Sequence, residues 1–406
     1  MFPESLKIAK VIPIFKKGDK SDPSNYRPIS NVPVFSKVFE HISKNQICHY
    51  FESNNLYYSK QYGFRTGYNT TGAIRYLVKH VLDAFENNEY LHVSFCDLSK
   101  AFDCVEHDIL LSKLNYLGIT DKELLTISSY LFNREQCVMY ADQSSHVSNL
   151  NCGVPQGSVL RPILFLVVTN DLACNLTLDV ISYTDDTTLL YRDKDIHKLS
   201  NEVTINFNAA KTWFCANGFL LNEQKTESVL FTLKKFHQRK SFNMLGIIVD
   251  SILSWEQQIE HVCIKLTRII YILKKLKTLV PINYLRTVYF AYFQSILSYG
   301  IMLWGNCPHI NRVFILQKKA IRIITNSHMK EHCKPLFINY KILTLTSLYV
   351  LEILLYVKNN MHLYSFRNDQ HTYTTRQMND FNVPACRLKL TMSNFEVMST
   401  KIANKM

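Results

Sequence analysis

Several features are missing from this 406-residue chain, and each absence narrows the reading. The first residues do not run basic, then apolar, then small, so no signal peptide is expected. No internal repeat or low-complexity tract interrupts the chain, which excludes a solenoid or a compositional linker. The 11 cysteines are odd in number and scattered. None forms CxxC and no Cys/His cluster has zinc spacing, so they read as reduced core residues of an intracellular protein. One uncharged run, Val288–Trp304, has roughly the length of a membrane span. Gln294, Ser295, Ser298, Gly300 and several tyrosines interrupt it, so a buried helix is expected there and no membrane association. Acidic residues are scarce in the last third: from Lys265 onward there are about 20 Lys/Arg against about 5 Asp/Glu.

What is present is a globular composition, 47% hydrophobic with a mean hydropathy of −0.06. The length calls for two or three packed units. The net charge of +13 sits almost wholly in the C-terminal third. A one-sided basic excess fits a polyanionic partner, most often nucleic acid; a solvated basic surface is the plainer rival.

Along the chain, Ile8–Phe15 is an apolar run ended by Lys16-Lys17-Gly18-Asp19, and Asn25–Ser30 is extended and Pro-punctuated. Val34–Tyr50 has helical periodicity through Phe35, Val38, Phe39, Ile42 and Ile47. Gln61–Thr71 is a Gly-containing loop, and a helix is expected over Ala73–Asn87. His92–Asp97 alternates as a strand ending on a carboxylate, and Leu98–Asp103 turns toward a helix. Ile109–Leu117 and Lys122–Phe132 read as amphipathic helices. Gly153–Ser158 is a rigid loop with Ser158 as N-cap of an apolar helix reaching Asn170-Asp171. Ser200–Asn217 is helical, Phe219–Asn222 leads to Lys225, Ser228–Leu233 and Asn243–Val249 are strand candidates, and helix dominates beyond Trp255.

The most informative stretch is Ile181–Tyr191, ISYTDDTTLLY. Its flanks are β-branched and aromatic, so it reads as strand, tight turn, strand. A turn accounts for one Asp, since Asp tolerates turn geometry. Two adjacent carboxylates between buried strands repel each other and resist desolvation. A hard divalent cation relieves both, and Mg²⁺ suits oxygen ligands while keeping positions open for phosphate. Asp97 is a third carboxylate delivered by a strand. If the strands pair, Asp97, Asp185 and Asp186 can bracket two metal ions for in-line phosphoryl displacement, with no Ser/His/Asp or Cys/His set nearby. An ordinary Asp-rich turn remains the rival.

These residues resemble the reverse transcriptases of non-LTR retrotransposons, especially jockey-like, LINE-type elements. The resemblance is carried in order by Lys10–Ile29 with NYRPIS, then QYGFRTG, FCDLSKAFD, GVPQGSVL, YTDD, LLNEQKTE, MLGIIVDSILSW, SYGIMLWG and LQKKAIRIIT. It implies an α+β, right-hand polymerase: fingers over 1–90, palm with interleaved fingers elements and an antiparallel sheet over 91–252, helical thumb over 253–330, and a basic, mostly helical region over 331–406. It implies an RNA-directed DNA polymerase, with Asp97, Asp185 and Asp186 holding two Mg²⁺ ions, for which Mn²⁺ is a substitute. Phe102 would be the gate that excludes a ribose 2′-OH. Arg27 and Arg65 would meet template and incoming triphosphate. Gln156 and Gly157 would frame the nucleotide, and Lys225 would donate a proton to pyrophosphate. Leu245 and Gly246 would lie in the primer grip. Partners would be an RNA template, a DNA primer and dNTPs, with endonuclease and RNA-binding protein supplied in trans, acting in the nucleus or cytoplasm. The cationic face of Val262–Lys277, with Lys274, Lys275 and Lys277, would hold duplex phosphates.

Each role has a plainer rival. Phe102 can be core, Arg27 can satisfy carbonyls near Pro28, Lys225 can be a surface lysine, and the loop glycines can serve backbone geometry alone. Asp103 reads as a helix cap or dipole partner, and His107 and His261 as structural. Two positions depart from the family pattern: Thr184 replaces the usual Ala, and Arg161 the usual Gly. Arg161 is expected to strain the helix start or to snorkel to solvent. The chain begins close to the fingers motif and its last residues, Met392–Met406, fade from the pattern. The second function class is therefore an inactive nucleic-acid-binding relic.

Overall fold

A computed structural model describes residues 1–234, 239–369 and 376–406. The chain divides into two compact units, one of Met1–Ala73 with His92–Ser228, the other of Ile74–Leu91 with Val229–Met406. Residues 370–375, within the expected basic C-terminal region, lie outside the described residues.

In the first unit, the apolar run forms β1 (Ile8–Phe15), which pairs antiparallel with β2 (Tyr26–Asn31), Ile12 opposite Ile29 and Pro13 opposite Pro28. Helix α1 (Val34–Ser53) follows Pro33. It forms where expected but buries a different face. Phe35, Val38, Phe39 and Ile42 are exposed, while Ser36, Glu40, Ile47 and Phe51 are buried. The physical reason is polar: the Glu40 carboxylate accepts hydrogen bonds from the Ser36 hydroxyl (3.0 Å) and from the Val159 N–H (2.5 Å). A buried carboxylate is tolerated only with such partners.

Helix α2 (Thr70–Glu86), most of which belongs to the second unit, leads to β3 (Tyr90–Cys96) and the short β4 (Leu98–Ser99). A 3-10 turn at Ala101–Cys104 precedes α3 (His107–Tyr116) and α4 (Asp121–Leu131). Strands β5 (Arg134–Tyr140), β6 (Gln143–Ser144) and β7 (Ser148–Leu150) extend the first sheet, β5 running parallel to β1. Helix α5 (Arg161–Thr169) has Pro162 in its first turn, where no intrahelical N–H is needed. Ile163 through Val168 are all buried, so the helix is apolar on every side and sits inside the main core. It ends two residues before the expected Asp171. There Lys113 Nζ donates to the Val168 carbonyl (2.7 Å) and to Asp171 (2.6 Å), a cation at the negative end of the helix.

The acidic motif forms β8 (Asp179–Tyr183) and β9 (Asp186–Asp193), a tight hairpin with Tyr183 opposite Asp186. Helix α6 (Ile196–Ala216) and β10 (Leu220–Leu221) follow, with β10 pairing β4. With β11 (Glu227–Phe231), the central sheet has the order β11-β3-β9-β8.

In the second unit, the strand expected over Asn243–Val249 is instead a hairpin, β12 (Ser241–Met244) and β13 (Ile247–Asp250). Leu245 and Gly246 form its two-residue turn at φ of 49° and 86°, the paired positive values such a turn demands. Helix α7 (Glu256–Leu276) buries Ile259, Val262, Leu266, Ile270 and Leu273, but leaves Ile264 exposed, outside the expected apolar face. The uncharged run is not one helix: α8 (Ile282–Val288) passes into a π-helical stretch at Tyr289–Gln294, then α9 (Ser295–Ser298) and α10 (Ile301–Trp304). The break falls at Gly300, whose φ is 64° and where a Cβ would strike Ile247. Among the described residues no helix is long and apolar enough to cross a membrane. Helices α11 (Asn311–Ile324), α12 (Cys333–Asn339), α13 (Leu345–Asn359), α14 (Lys389–Met392) and α15 (Phe395–Ala403) complete it. The expectation of core cysteines holds for only some: Cys96, Cys307 and Cys333 are buried, whereas Cys152, Cys174 and Cys215 are exposed.

Candidate functional site

Strands β3 and β9 are neighbours in the central sheet. Asp97 follows the last residue of β3, and Asp185 and Asp186 stand at the β8–β9 turn. Asp185 is raised above its ordinary value, first by burial and further by Asp97. Asp186 is pushed up to about 6 by burial, then by Asp185 and Asp97. Asp186 nonetheless stands exposed on its accessible surface, so solvent screens much of this effect. Each carboxylate thus feels another. The Lys225 ammonium lies 3.7 Å from Asp97 Oδ2, brought there because the Asn222 N–H donates to the Asp97 carbonyl (2.8 Å).

An all-carboxylate donor set matches hard divalent cations in chemistry. Among the described residues, however, no group of three or more His, Cys, Asp or Glu side chains stands close enough to hold an ion as it is. The acids are brought to adjacent strand ends but are not closed on a common point.

The turn is held from outside by a segment whose sequence shows only a loop. Ser182 exchanges backbone hydrogen bonds with Lys60 and Tyr62 (3.1 and 2.8 Å). Gln61 Oε1 accepts the N–H groups of Gly63 (2.8 Å) and Thr184 (3.2 Å). Thr184 has φ of 61°, uncommon for a β-branched residue, and a Cβ on Gly63 would strike it. Gln61 is therefore a site residue that sequence reasoning missed, although it opens a quoted motif.

The Arg65 side chain is largely buried. Its Nε and Nη2 donate to the two Glu52 carboxylate oxygens (3.0 and 2.8 Å) and its Nη1 to the Tyr58 carbonyl (3.1 Å). Its guanidinium also lies over the rings of Tyr57 and Tyr68. A fork so engaged braces the loop. Arg27 is exposed on β2.

The Gly153–Ser158 loop is fixed at both ends. The Ser30 N–H donates to the Gln156 carbonyl (2.6 Å), and a Cβ on Gly157 would strike the Ser30 oxygen, so glycine is required for that approach. Ser158 Oγ accepts the Leu160 and Arg161 N–H groups (3.2 and 3.3 Å) and pairs with the Tyr130 hydroxyl (2.6 Å); the N-cap itself is Leu160, so Ser158 braces the turn ahead of the helix instead of capping it as expected. Glu40, holding Val159, was missed as well; its signal was a Glu on the helix row Ser36, Glu40, Ile47, Phe51. His107 is structural, its Nε2 2.9 Å from the Gly153 carbonyl.

Phe102 is half-buried and packs 4.5 Å from Phe165. Arg161 neither strains the helix start nor snorkels. It is buried; Nη1 donates to the Val154 carbonyl (2.7 Å), Nη2 meets Asp103 Oδ1 at 3.0 Å, and the guanidinium lies over the Phe102 ring. Asp103 is thus the partner of a buried cation instead of a helix cap.

In the second unit, the Leu245 carbonyl accepts the Tyr299 hydroxyl. Lys274, Lys275 and Lys277 are exposed at the end of α7; Lys275 lies 5.7 Å over Tyr271, and Lys277 Nζ donates to Asn326 Oδ1 (3.0 Å).

With this geometry in place, the chain can be set beside known proteins. The family model described as reverse transcriptase (RNA-dependent DNA polymerase) matches residues 14–249, more than half of the chain. The chain belongs to the reverse transcriptase family. It is 30% identical over 360 residues to the Drosophila melanogaster protein described as "Probable RNA-directed DNA polymerase from transposon BS", covering 80% of this chain and 39% of that protein. It is 28% identical over 358 residues to the "RNA-directed DNA polymerase from mobile element jockey" of the same species, covering 80% and 38%. These relatives bear out the likeness to jockey-like, non-LTR elements. The chain spans about two fifths of their length. A solved structure of apo telomerase from Candida tropicalis shares the α+β polymerase fold, with a TM-score of 0.50 at 11% identity over 86% of this chain and 64% of that one. Divalent-metal use is general to the family.

Proposed function

We propose that this chain is the polymerase portion of a non-LTR retrotransposon protein, extending a primer 3′-OH with deoxynucleotides on an RNA template and secondarily on DNA. The observation that carries the reading is the gathering of Asp97, Asp185 and Asp186 at adjacent strand ends, where burial and mutual repulsion raise Asp185 and Asp186. Such a group is costly for the protein alone and suited to divalent cations. Asp97, Asp185 and Asp186 would hold two Mg²⁺ ions, or Mn²⁺ in their place, which supply acidification of the 3′-OH and neutralisation of the triphosphate.

The chain's own residues do the rest. Phe102 walls off the ribose 2′ position. The Gly153–Ser158 loop, with Gln156 and Gly157, frames the nucleotide, and exposed Arg27 meets phosphate. Lys225, which pairs with Asp97, would give its proton to departing pyrophosphate. In this reading residues 1–90 act as fingers, 91–252 as palm and 253–330 as thumb, with Leu245-Gly246 touching the primer and Lys274, Lys275 and Lys277 the duplex. The inactive relic is the weaker reading: the three acids are intact, and Arg161 has found partners.

Primer extension on a homopolymer RNA template tests the proposal. Extension that requires a divalent cation and disappears in Asp185→Asn is expected; a folded, template-binding protein that extends nothing on RNA or DNA would overturn it.

A further inference from the structure

The polymerase reading leaves one buried cation without a task. Arg161 stands where the family resemblance implies glycine, and a guanidinium out of water is costly unless its donors and its charge are met. Here they are met by groups belonging to two separate site elements. Nη1 takes the carbonyl of Val154, in the loop that frames the nucleotide, at 2.7 Å. Nη2 takes Asp103 Oδ1 at 3.0 Å, and the guanidinium carbon lies 4.6 Å from the centroid of the Phe102 ring; both residues belong to the 3-10 turn after Asp97.

These two elements are already close. The Gly153 N–H donates to the Val105 carbonyl (2.7 Å), the Val154 N–H to the Phe102 carbonyl (3.4 Å), and a Cβ on Gly153 would stand 2.7 Å from the Asp103 oxygen. Backbone contacts fix the two chains but leave the Phe102 side chain free to turn. Phe165, 4.5 Å away and fully buried, bounds it in the core. Arg161 packs on the ring as well, its guanidinium over the face.

We infer that Arg161 is a positioning residue for sugar selection: its guanidinium holds the Phe102 ring in one orientation and locks it to the nucleotide-framing loop. This rests on the polymerase reading and on Phe102 as its gate. An apolar wall rejects an added hydroxyl only modestly. It does so only as firmly as it is backed, since a ring that can rotate makes room for the 2′-OH. The planar fork matters: it bonds Val154 and Asp103 while presenting a flat face to the ring. Lysine carries the charge but neither the fork nor the face.

The test compares the full chain with Arg161→Lys, Arg161→Gly and Asp103→Asn. Two readouts are taken: the ratio of kcat/KM for dUTP over UTP, which differ only at the 2′ position, in primer extension, and the ratio of their equilibrium affinities for the protein bound to a chain-terminated primer–template. Arg161→Lys and Arg161→Gly are expected to lower both ratios by about tenfold, the scale of a desolvated cation–π contact, mostly through better UTP use. Asp103→Asn, which keeps the ring contact, should give a smaller drop. A lowered melting temperature with both ratios unchanged would overturn the inference and leave Arg161 a structural residue. If Arg161→Gly does not fold, Arg161→Lys and Asp103→Asn decide by the same ratios. A wild-type chain that prefers dUTP in binding yet extends nothing would sink the polymerase reading while the affinity ratios still judge Arg161.

Discussion

The Lys225 ammonium sits 3.7 Å from Asp97 Oδ2, although 127 residues separate them in the chain. Both groups keep substantial solvent access, so the pair is a weak ion pair and not a structural lock. A pair this exposed opens readily, so Lys225 is free to leave Asp97. Lys225→Ala is expected to reduce extension rate by roughly ten- to a hundredfold while leaving template affinity nearly unchanged, as for loss of a general acid. Single-turnover extension checks this; an unchanged rate returns Lys225 to the surface.

Asp185→Asn should separate activity from stability. Removing one charge from three that repel one another relieves the fold, so the melting temperature in chelator is expected to rise. Extension should fall by about a thousandfold or more, because a metal ligand is lost. Thermal scans in EDTA paired with extension assays give both numbers. A stability loss together with retained activity would contradict the assignment.

Phe102→Ala is expected to reduce discrimination against ribonucleotides by roughly ten- to a hundredfold, measured as the ratio of kcat/KM for matched dNTP and rNTP. The side chain also packs on Phe165, so some stability is lost too. Phe102→Val, keeping an apolar side chain of smaller reach, should show intermediate selectivity. A ratio that does not move in either variant assigns Phe102 to the core.

Glu52→Gln tests the bracing of Arg65. The bidentate pair and the Tyr58 carbonyl hold the loop that in turn holds the acidic hairpin. A loss of about 1–2 kcal/mol in urea unfolding is expected, since the Glu52 end is partly open to solvent. An unchanged midpoint would show the loop to be held by its backbone alone.

Acid should weaken the fold through His92, whose value burial lowers below the ordinary 6.5. The folded state prefers the neutral ring, so the unfolded chain takes up the proton first as pH falls. Stability from this residue is complete above about pH 6.5 and declines below it. His92→Gln is expected to flatten the stability difference between pH 7 and pH 5. Parallel profiles for the two proteins would remove His92 from the account.

Neutralising Lys274, Lys275 and Lys277 should weaken duplex binding about equally for all sequences and flatten the salt slope by up to about 0.9 per lost phosphate contact. Lys277 already bonds Asn326, so it should contribute least of the three. An unchanged slope would put this face outside the duplex path.

Local pattern determined much of this protein. The alternation of β8 and β9, the Asp-bearing turn between them, the strand that ends at Asp97 and the apolar helix after Ser158 were legible because each depends on residues close in the chain. Ordered motifs made the family legible as well. What the sequence did not disclose were the partners of polar groups. Glu40, Gln61, Glu52 and Asp103 take their roles from residues that lie near only after folding: Val159, Thr184, Arg65 and Arg161. Arg161 is the clearest case. In the sequence it is a cation at an apolar helix start, where strain or exposure is the expected outcome. In the fold a carbonyl, a carboxylate and a ring surround it, and it becomes buried structure. Hydrophobic period sets which elements form, but whether a buried charge is tolerated depends on where its hydrogen-bond partners stand, and only the tertiary structure decides that.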